Sequence, residues 1–116
     1  MTRGATHMPF SHNEKKLLRQ LNEAYLDELE DELKFVLVHE PGGRTYYQLD
    51  GTRWYQTDGH ILPFDTVRIS EGEVESLQQA GFIQLTELGG AQFRVSITAD
   101  GRACIPEEGK PWKEMH

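Results

Sequence analysis

The sequence predicts one α+β domain built, in order, from a long N-terminal helix, a three-strand β-meander, a short second helix and a two-strand β-hairpin. Three observations predict this order: leucines at helical spacing near the start, two Asp-Gly turns in the middle, and a glycine-tipped pair of apolar segments after them. A chain of 116 residues fits a single domain. We assign the domain to residues 12–105, between a tag or disordered segment at 1–11 and a flexible tail at 106–116.

The first predicted helix runs from His12 to about Lys34. Ser11 and Glu14 form the S-x-x-E capping box of a helix start, and apolar residues follow at steps of three and four: Leu18, Leu21, Tyr25, Leu29 and Leu33. Its charges oppose the helix dipole, because the start is basic and the end is acidic. Two interpretations stay open: a solvated face on a helix stabilised by packing, or a homodimer of antiparallel helices whose basic and acidic ends face each other.

The middle of the chain contains a near-repeat, RTYYQLDG at 44–51 and TRWYQTDG at 52–59. Both copies end in Asp-Gly, a strong hairpin signal, so we predict a meander that turns at Asp50-Gly51 and at Asp58-Gly59. The first turn would pair Leu49 with Thr52, Tyr47 with Trp54 and Tyr46 with Tyr55.

This register predicts an apolar face and a mixed face on the meander. The apolar face carries Leu49, Tyr47 and Trp54, and the other face carries Tyr46, Tyr55, Gln48, Arg53 and Arg44. Aromatic rings between arginines are typical of contact surfaces, but the tyrosines would also serve to cover the sheet or to pack on the first helix. Both interpretations stay open.

The second half of the chain predicts a helix followed by a hairpin. Ser70 and Glu73 form another capping box, and Gly81 is placed to end the helix. A three-residue loop at 88–90 would align Leu85 with Phe93 and Ile83 with Val95, which keeps the apolar residues on one face and predicts a bulged loop. Thr98 then caps a short turn that ends at Pro106.

This second half resembles the winged-helix outline of MarR-like regulators, on the residues Val74, Leu77, Gly81-Phe82-Ile83, Phe93–Thr98 and Gly101-Arg102-Ala103. The chain is also similar to the small YjhX-like family, on Ser11–Glu14, Gly42-Gly43-Arg44 and Asp58-Gly59. The resemblance implies a winged-helix domain with a two-strand wing. MarR-like members bind DNA, and the YjhX-like family is described as a toxin that inhibits a DNA topoisomerase through protein contact.

Charge favours the second of these roles. The net charge is −7, and the helix before the predicted wing carries Glu71, Glu73 and Glu75 without a basic residue, so phosphate has no general attraction to it.

We therefore expect a regulatory or inhibitory protein that binds a protein partner that handles nucleic acid. Its predicted contact residues are Tyr46, Tyr55, Arg53, Arg44, Asp27, Glu28, Glu30 and Asp31. The alternative is a DNA-binding transcriptional regulator that uses Gln78, Gln79, Arg94 and Arg53.

Enzymatic and membrane roles find no signal in the sequence. No catalytic motif is present, and the histidines lack metal-ligand spacing with one another and with Cys104, so we expect no enzyme activity, metal or cofactor. The single cysteine excludes an internal disulfide and favours the cytoplasm. No apolar run approaches the roughly 20 residues that span a bilayer, so no membrane role is expected.

Overall fold

The structure is a computed structural model that describes residues 10–51, 55–57, 60–62, 66–107, 110 and 112. It contains three α-helices, a short 3₁₀ turn at Glu30–Glu32 and seven strands in the described ranges. The elements are α1 His12–Leu26, β1 Leu33–His39, β2 Thr45–Gly51, β3 Tyr55–Thr57, β4 His60–Leu62, β5 Val67–Ser70, α2 Glu71–Gln79, β6 Ile83–Gly89, β7 Gln92–Ile97 and α3 Ala99–Cys104.

Five strands form one antiparallel sheet in the order β5-β2-β1-β7-β6, and β3 pairs separately with β4. The α+β class is confirmed, and so is the hairpin that follows α2, because β6 and β7 are antiparallel neighbours. The winged-helix arrangement is not confirmed. A helix-turn-helix needs two consecutive helices, whereas α2 follows directly on strand β5.

The helices cover one face of the sheet and create the core there. On α1 the side chains of Leu17, Leu18 and Leu21 are fully buried, at steps that place them along one side of the helix. Each such leucine contributes about 1.5 to 3 kcal/mol of burial free energy. Alternating strand residues complete the core: Leu33, Phe35, Leu49, Val67, Ile69, Ile83, Val95 and Ile97. Phe10 and Trp112, outside the predicted 12–105 domain, also pack on this core.

Helix α1 is shorter than the sequence predicts. It ends at Leu26 in a Schellman turn, where the Leu29 amide donates to the Ala24 carbonyl at 2.8 Å and Glu28 adopts a left-handed φ of 59°. Leu33 therefore lies in β1, and the predicted helical end at Lys34 is wrong. Of the leucines that the homodimer interpretation would share with a second helix, Leu18, Leu21 and Leu33 are buried in the chain's own core.

The predicted meander is wrong at its first turn. Strand β2 lies between β1 and β5, so Leu49 pairs with Phe35 and Val67, and neither side is open to Thr52 or Trp54. Asp50 and Gly51 belong to β2 and pair with β1. The β1–β2 hairpin turns instead at the Pro41-Gly42-Gly43 loop, where both glycines have positive φ.

Strands β3 and β4 form the second predicted hairpin. Thr57 pairs with His60, as a two-residue turn at Asp58-Gly59 requires, and Tyr55 pairs with Leu62 rather than with Tyr46. The predicted residues Thr52, Arg53 and Trp54, and the turn residues 58 and 59, lie outside the described residues.

The β6–β7 hairpin keeps the predicted apolar face but shifts the register by two residues. Leu85 pairs with Val95 and Ile83 with Ile97, and a bulge lies between Glu87 and Gly89. The turn residues are Gly90 and Ala91, with φ values of 61° and 64°. Two successive positive φ values are those of a type I′ turn, which suits the twist of a hairpin. A bulge was predicted, but the predicted three-residue loop at 88–90 is wrong, because Leu88 and Gly89 lie in β6 and the loop is the two-residue Gly90-Ala91 turn.

Candidate interaction surfaces

The C-terminal end of α1 borders a groove of about 490 Å³ that we call the acidic groove, lined by Tyr25, Leu26, Glu28, Glu30 and Asp31. The Schellman turn positions these residues, because it reverses the chain just after the last helical turn. Leu26 is 67% exposed and Tyr25 is 40% exposed. Among the described residues the other large exposed hydrophobic side chain is Leu88, on the β6–β7 hairpin. The groove thus combines apolar contact area with three carboxylates.

Two arginines contact residues that line the acidic groove. The Arg102 guanidinium on α3 lies 4.0 Å from the centre of the Tyr25 ring, in cation–π geometry. Arg94 on β7 forms an ion pair with Asp31 at 3.5 Å. Glu28 and Glu30 have no such cation among the residues the structure describes, and Glu30 Oε2 is buried without a hydrogen-bond donor there. The groove therefore keeps unneutralised negative charge and one unsatisfied acceptor.

The predicted acidic contact residues all lie at this end of α1. Asp27 is the C-cap of the helix and is exposed, and Glu28, Glu30 and Asp31 line the groove. The structure therefore brings this predicted set together. The exposure of Tyr25 and Leu26 was not predicted from the sequence. The helical spacing assigned Tyr25 to the buried side.

The opposite end of α1 borders a second concavity, the basic pocket, of about 450 Å³. It is lined by His12, Lys15, Lys16, Arg19 and Trp112. The Arg19 guanidinium lies 5.0 Å from the centre of the Trp112 ring, and that ring forms a T-shaped pair with buried Phe10 at a centroid distance of 5.5 Å. No sequence pattern marks Trp112 as a site residue.

The sheet face away from the helices carries a different set of side chains. Tyr46 is half-buried on this face, and the Arg68 guanidinium lies 5.8 Å from its ring centre and donates to Gln48 Oε1 at 3.2 Å. By strand alternation Lys34 and Arg94 share this face. Arg44 is exposed at the start of β2 and pairs with Glu40 at 3.6 Å.

The predicted aromatic and basic contact set is only partly assembled. Tyr46 lies beside Arg68, Tyr55 belongs to the separate β3–β4 pair, and Arg53 lies outside the described residues. Arg68 could have been found from the alternation of Val67, Arg68 and Ile69, which is the signal of a half-buried strand.

The residues of the DNA-binding alternative do not form one surface. Gln78 and Gln79 lie exposed on α2, which packs on the helix-covered face, whereas Arg94 points to the opposite face of the sheet. Gln79 Nε2 donates to Glu75 Oε1 at 3.1 Å, and α2 contains no basic residue. Arg53, the fourth member of this set, lies outside the described ranges.

One carboxylate joins the starts of α1 and α2. Glu73 accepts hydrogen bonds from the Ser11 hydroxyl, from the Ser70 hydroxyl at 2.9 Å and from the Ser70 amide at 3.2 Å. Partial burial alone would raise the pKa of the Glu73 carboxyl, but these hydrogen bonds outweigh it and lower that pKa below its ordinary value. The Glu73 contact is therefore a structural clamp that sets the angle between the two helices.

Two kinds of site are not found in the described part of the chain. No group of three or more His, Cys, Asp or Glu side chains there could hold a metal ion. No helix within those ranges is long and apolar enough to cross a membrane.

Comparisons of the chain with family models, curated proteins and solved structures find no match in any of the three. The interpretation of its surfaces therefore depends on their own chemistry.

Proposed function

We propose that this chain is a small regulatory or inhibitory protein, without enzyme activity, that binds a protein partner that handles nucleic acid. The partner presents a basic segment with an apolar side chain, and the acidic groove holds it. The observation that carries this proposal is the coincidence of exposed Leu26 and Tyr25 with three carboxylates in one groove.

The apolar part of the groove supplies affinity. Full burial of a leucine side chain is worth about 1.5 to 3 kcal/mol, and Leu26 is 67% exposed, so a docked apolar side chain would gain about 1 to 2 kcal/mol there. That gain corresponds to a factor of about 5 to 30 in Kd. Tyr25, held by Arg102, adds a rigid aromatic surface of the kind that anchors protein interfaces.

The charged part of the groove selects the partner. Carboxylates around an apolar centre favour lysine and arginine and repel acidic segments. Clusters of lysine and arginine are typical of proteins that bind nucleic acid, which is why we assign the partner to that class.

A direct test is fluorescence anisotropy with a labelled peptide of arginine, lysine and leucine. The wild-type chain should bind it, and replacement of the peptide's leucines by serine should weaken binding. Leu26→Ser should weaken binding about 5- to 30-fold. Leu88→Ser is the matched control, because Leu88 is 58% exposed but lies outside the groove, and it should leave Kd unchanged. Equal effects of the two variants, or no binding by the wild type, would contradict the proposal.

The alternative function, a DNA-binding transcriptional regulator, has less support. Its predicted residues lie on two faces, and the helix that would enter the major groove carries exposed Glu71 and Glu75. It would be favoured by retention of duplex DNA that Gln78→Ala and Gln79→Ala abolish.

A further inference from the structure

The basic pocket concentrates positive charge in a chain whose net charge is −7. Lys15 and Arg19 lie one helical turn apart with Lys16 beside them, all within the first half of α1. Like charges one turn apart on a helix repel each other. A bound anion would relieve this repulsion, so the charge of the pocket favours anion binding.

The cations of the basic pocket are not neutralised by the rest of the described chain. None of Lys15, Lys16 and Arg19 forms an ion pair within the described ranges, whereas cations elsewhere do, as Arg44 with Glu40 and Arg94 with Asp31 show. The nearest carboxylate in sequence, Glu14, is buried and accepts the Ser11 amide at 2.7 Å. Lys16 Nζ donates to a neutral group, the Thr66 carbonyl, at 3.5 Å.

The same pocket offers a flat surface. The Arg19 guanidinium lies 5.0 Å from the centre of the Trp112 ring, and that ring also packs on buried Phe10. Indole rings and guanidinium planes are the groups on which unpaired nucleic-acid bases stack. The pocket volume of about 450 Å³ lies within the range of small-ligand sites.

From these contacts we infer that the basic pocket binds single-stranded nucleic acid. Lys15, Lys16 and Arg19 contact phosphates, and Trp112 stacks with a base that displaces the Arg19 guanidinium from its ring. An acidic peptide would satisfy the cations but would leave the flat surface without a partner, so a strand with both phosphates and bases fits better. The inference does not rest on the acidic groove, which lies at the other end of α1.

The test is fluorescence anisotropy of the full chain with labelled oligothymidylate. Binding should weaken as salt rises, with a log–log slope of about −2, because each phosphate contact by one of three cations contributes about −0.7 on a single strand. Lys15→Gln and Lys16→Gln should each lower affinity and reduce the slope. Lys34→Gln is the matched control, since it removes the same charge from the uncovered sheet face, and it should change neither quantity.

Stacking has its own readout. In a Trp54→Phe background the remaining tryptophan, Trp112, should lose fluorescence when oligothymidylate binds. Trp112→Ala should weaken binding about 5- to 150-fold, and Trp112→Phe should restore part of the affinity, because it keeps an aromatic face. Circular dichroism of each variant checks that the fold is retained.

Three results would overturn the inference. Polyglutamate that binds as tightly as oligothymidylate would show charge attraction without base recognition. Equal losses in Lys15→Gln and Lys34→Gln would remove the site from this pocket. A salt-sensitive dimer that does not bind oligothymidylate would assign the pocket to the acidic groove of a second copy.

Discussion

Gly101 is the position at which the structure predicts the most damaging single methyl group. It is buried in α3, and a Cβ added there would clash with the Phe82 carbonyl oxygen and would lie 2.8 Å from Ile97 Cγ1. The Phe82 oxygen cannot retreat freely, because it accepts the Thr98 amide at 3.0 Å. Gly101→Ala should therefore force α3 away from the sheet.

The magnitude follows from two opposing terms. Overpacking against backbone costs about 1 to 3 kcal/mol or more, and the helical preference of alanine over glycine returns about 0.5 to 1 kcal/mol. We expect a net loss of about 2 kcal/mol in the free energy of unfolding, and a Tm lower by about 10 °C. Arg102, the next residue, would move with α3, so the cation–π contact with Tyr25 at the acidic groove should weaken as well.

The assay is urea unfolding followed by far-UV circular dichroism, with Gly72→Ala as the matched control. Gly72 is also helical, but a Cβ there would meet no heavy atom within 4 Å. This variant should be more stable by about 0.5 kcal/mol. A Gly101→Ala protein as stable as the wild type, or a Gly72→Ala protein with a comparable loss, would refute the packing argument.

Three further predictions concern the clamp, the hairpin and the groove wall. Glu73→Gln should lower stability at neutral pH by about 1 kcal/mol, as expected for a lost cap. Because folding lowers the pKa of Glu73, its carboxylate stabilises the folded state above the ordinary pKa of 4.5, and this stabilisation is lost as pH falls below that value. The urea midpoint of the variant should therefore depend less on pH than that of the wild type. Ala91→Gly should raise stability by about 0.5 to 1 kcal/mol, because φ is 64° there; an unchanged thermal midpoint would argue against a strained turn. Arg102→Gln should lower the free energy of unfolding by about 0.5 to 1 kcal/mol and should weaken peptide binding. Arg102→Lys should keep part of the stability and part of the affinity, which thermal melts and titration calorimetry measure.

Local signals in the sequence predicted the helix starts well. Both capping boxes form, with Glu14 bonded to the Ser11 amide and Glu73 to the Ser70 amide. Such motifs succeed because donor and acceptor are three residues apart and need no tertiary partner. The alternation that places Leu85 and Val95 on one face also held, since a register shift of two residues preserves the face of each strand.

Competition between local signals could not be resolved from the sequence. The Asp50-Gly51 turn gave way to the Pro41-Gly42-Gly43 loop, because pairing β2 with β1 buries Leu49 against Phe35. The end of α1 was missed because Glu28, rather than glycine, occupies the left-handed position of the Schellman turn.

The candidate surfaces depend on contacts between residues distant in sequence. Arg102 reaches Tyr25 from α3, and Trp112 reaches Arg19 from beyond the predicted domain end. Spacing along the chain does not predict contacts between distant residues. The acidic residues of the groove could therefore be predicted from the sequence, but the exposed Tyr25 and Leu26 beside them could not.

The central claim is that the acidic groove receives a basic segment with an apolar side chain. Amide chemical-shift mapping by NMR, during titration with the arginine–lysine–leucine peptide, tests it most directly. We predict that the largest shifts fall on residues 25–31 and on Arg102, and that Leu26→Ser raises the peptide concentration needed to produce them by about 5- to 30-fold. Shifts centred on Tyr46 and Arg68 of the uncovered sheet face, or no shifts at saturating peptide, would contradict it.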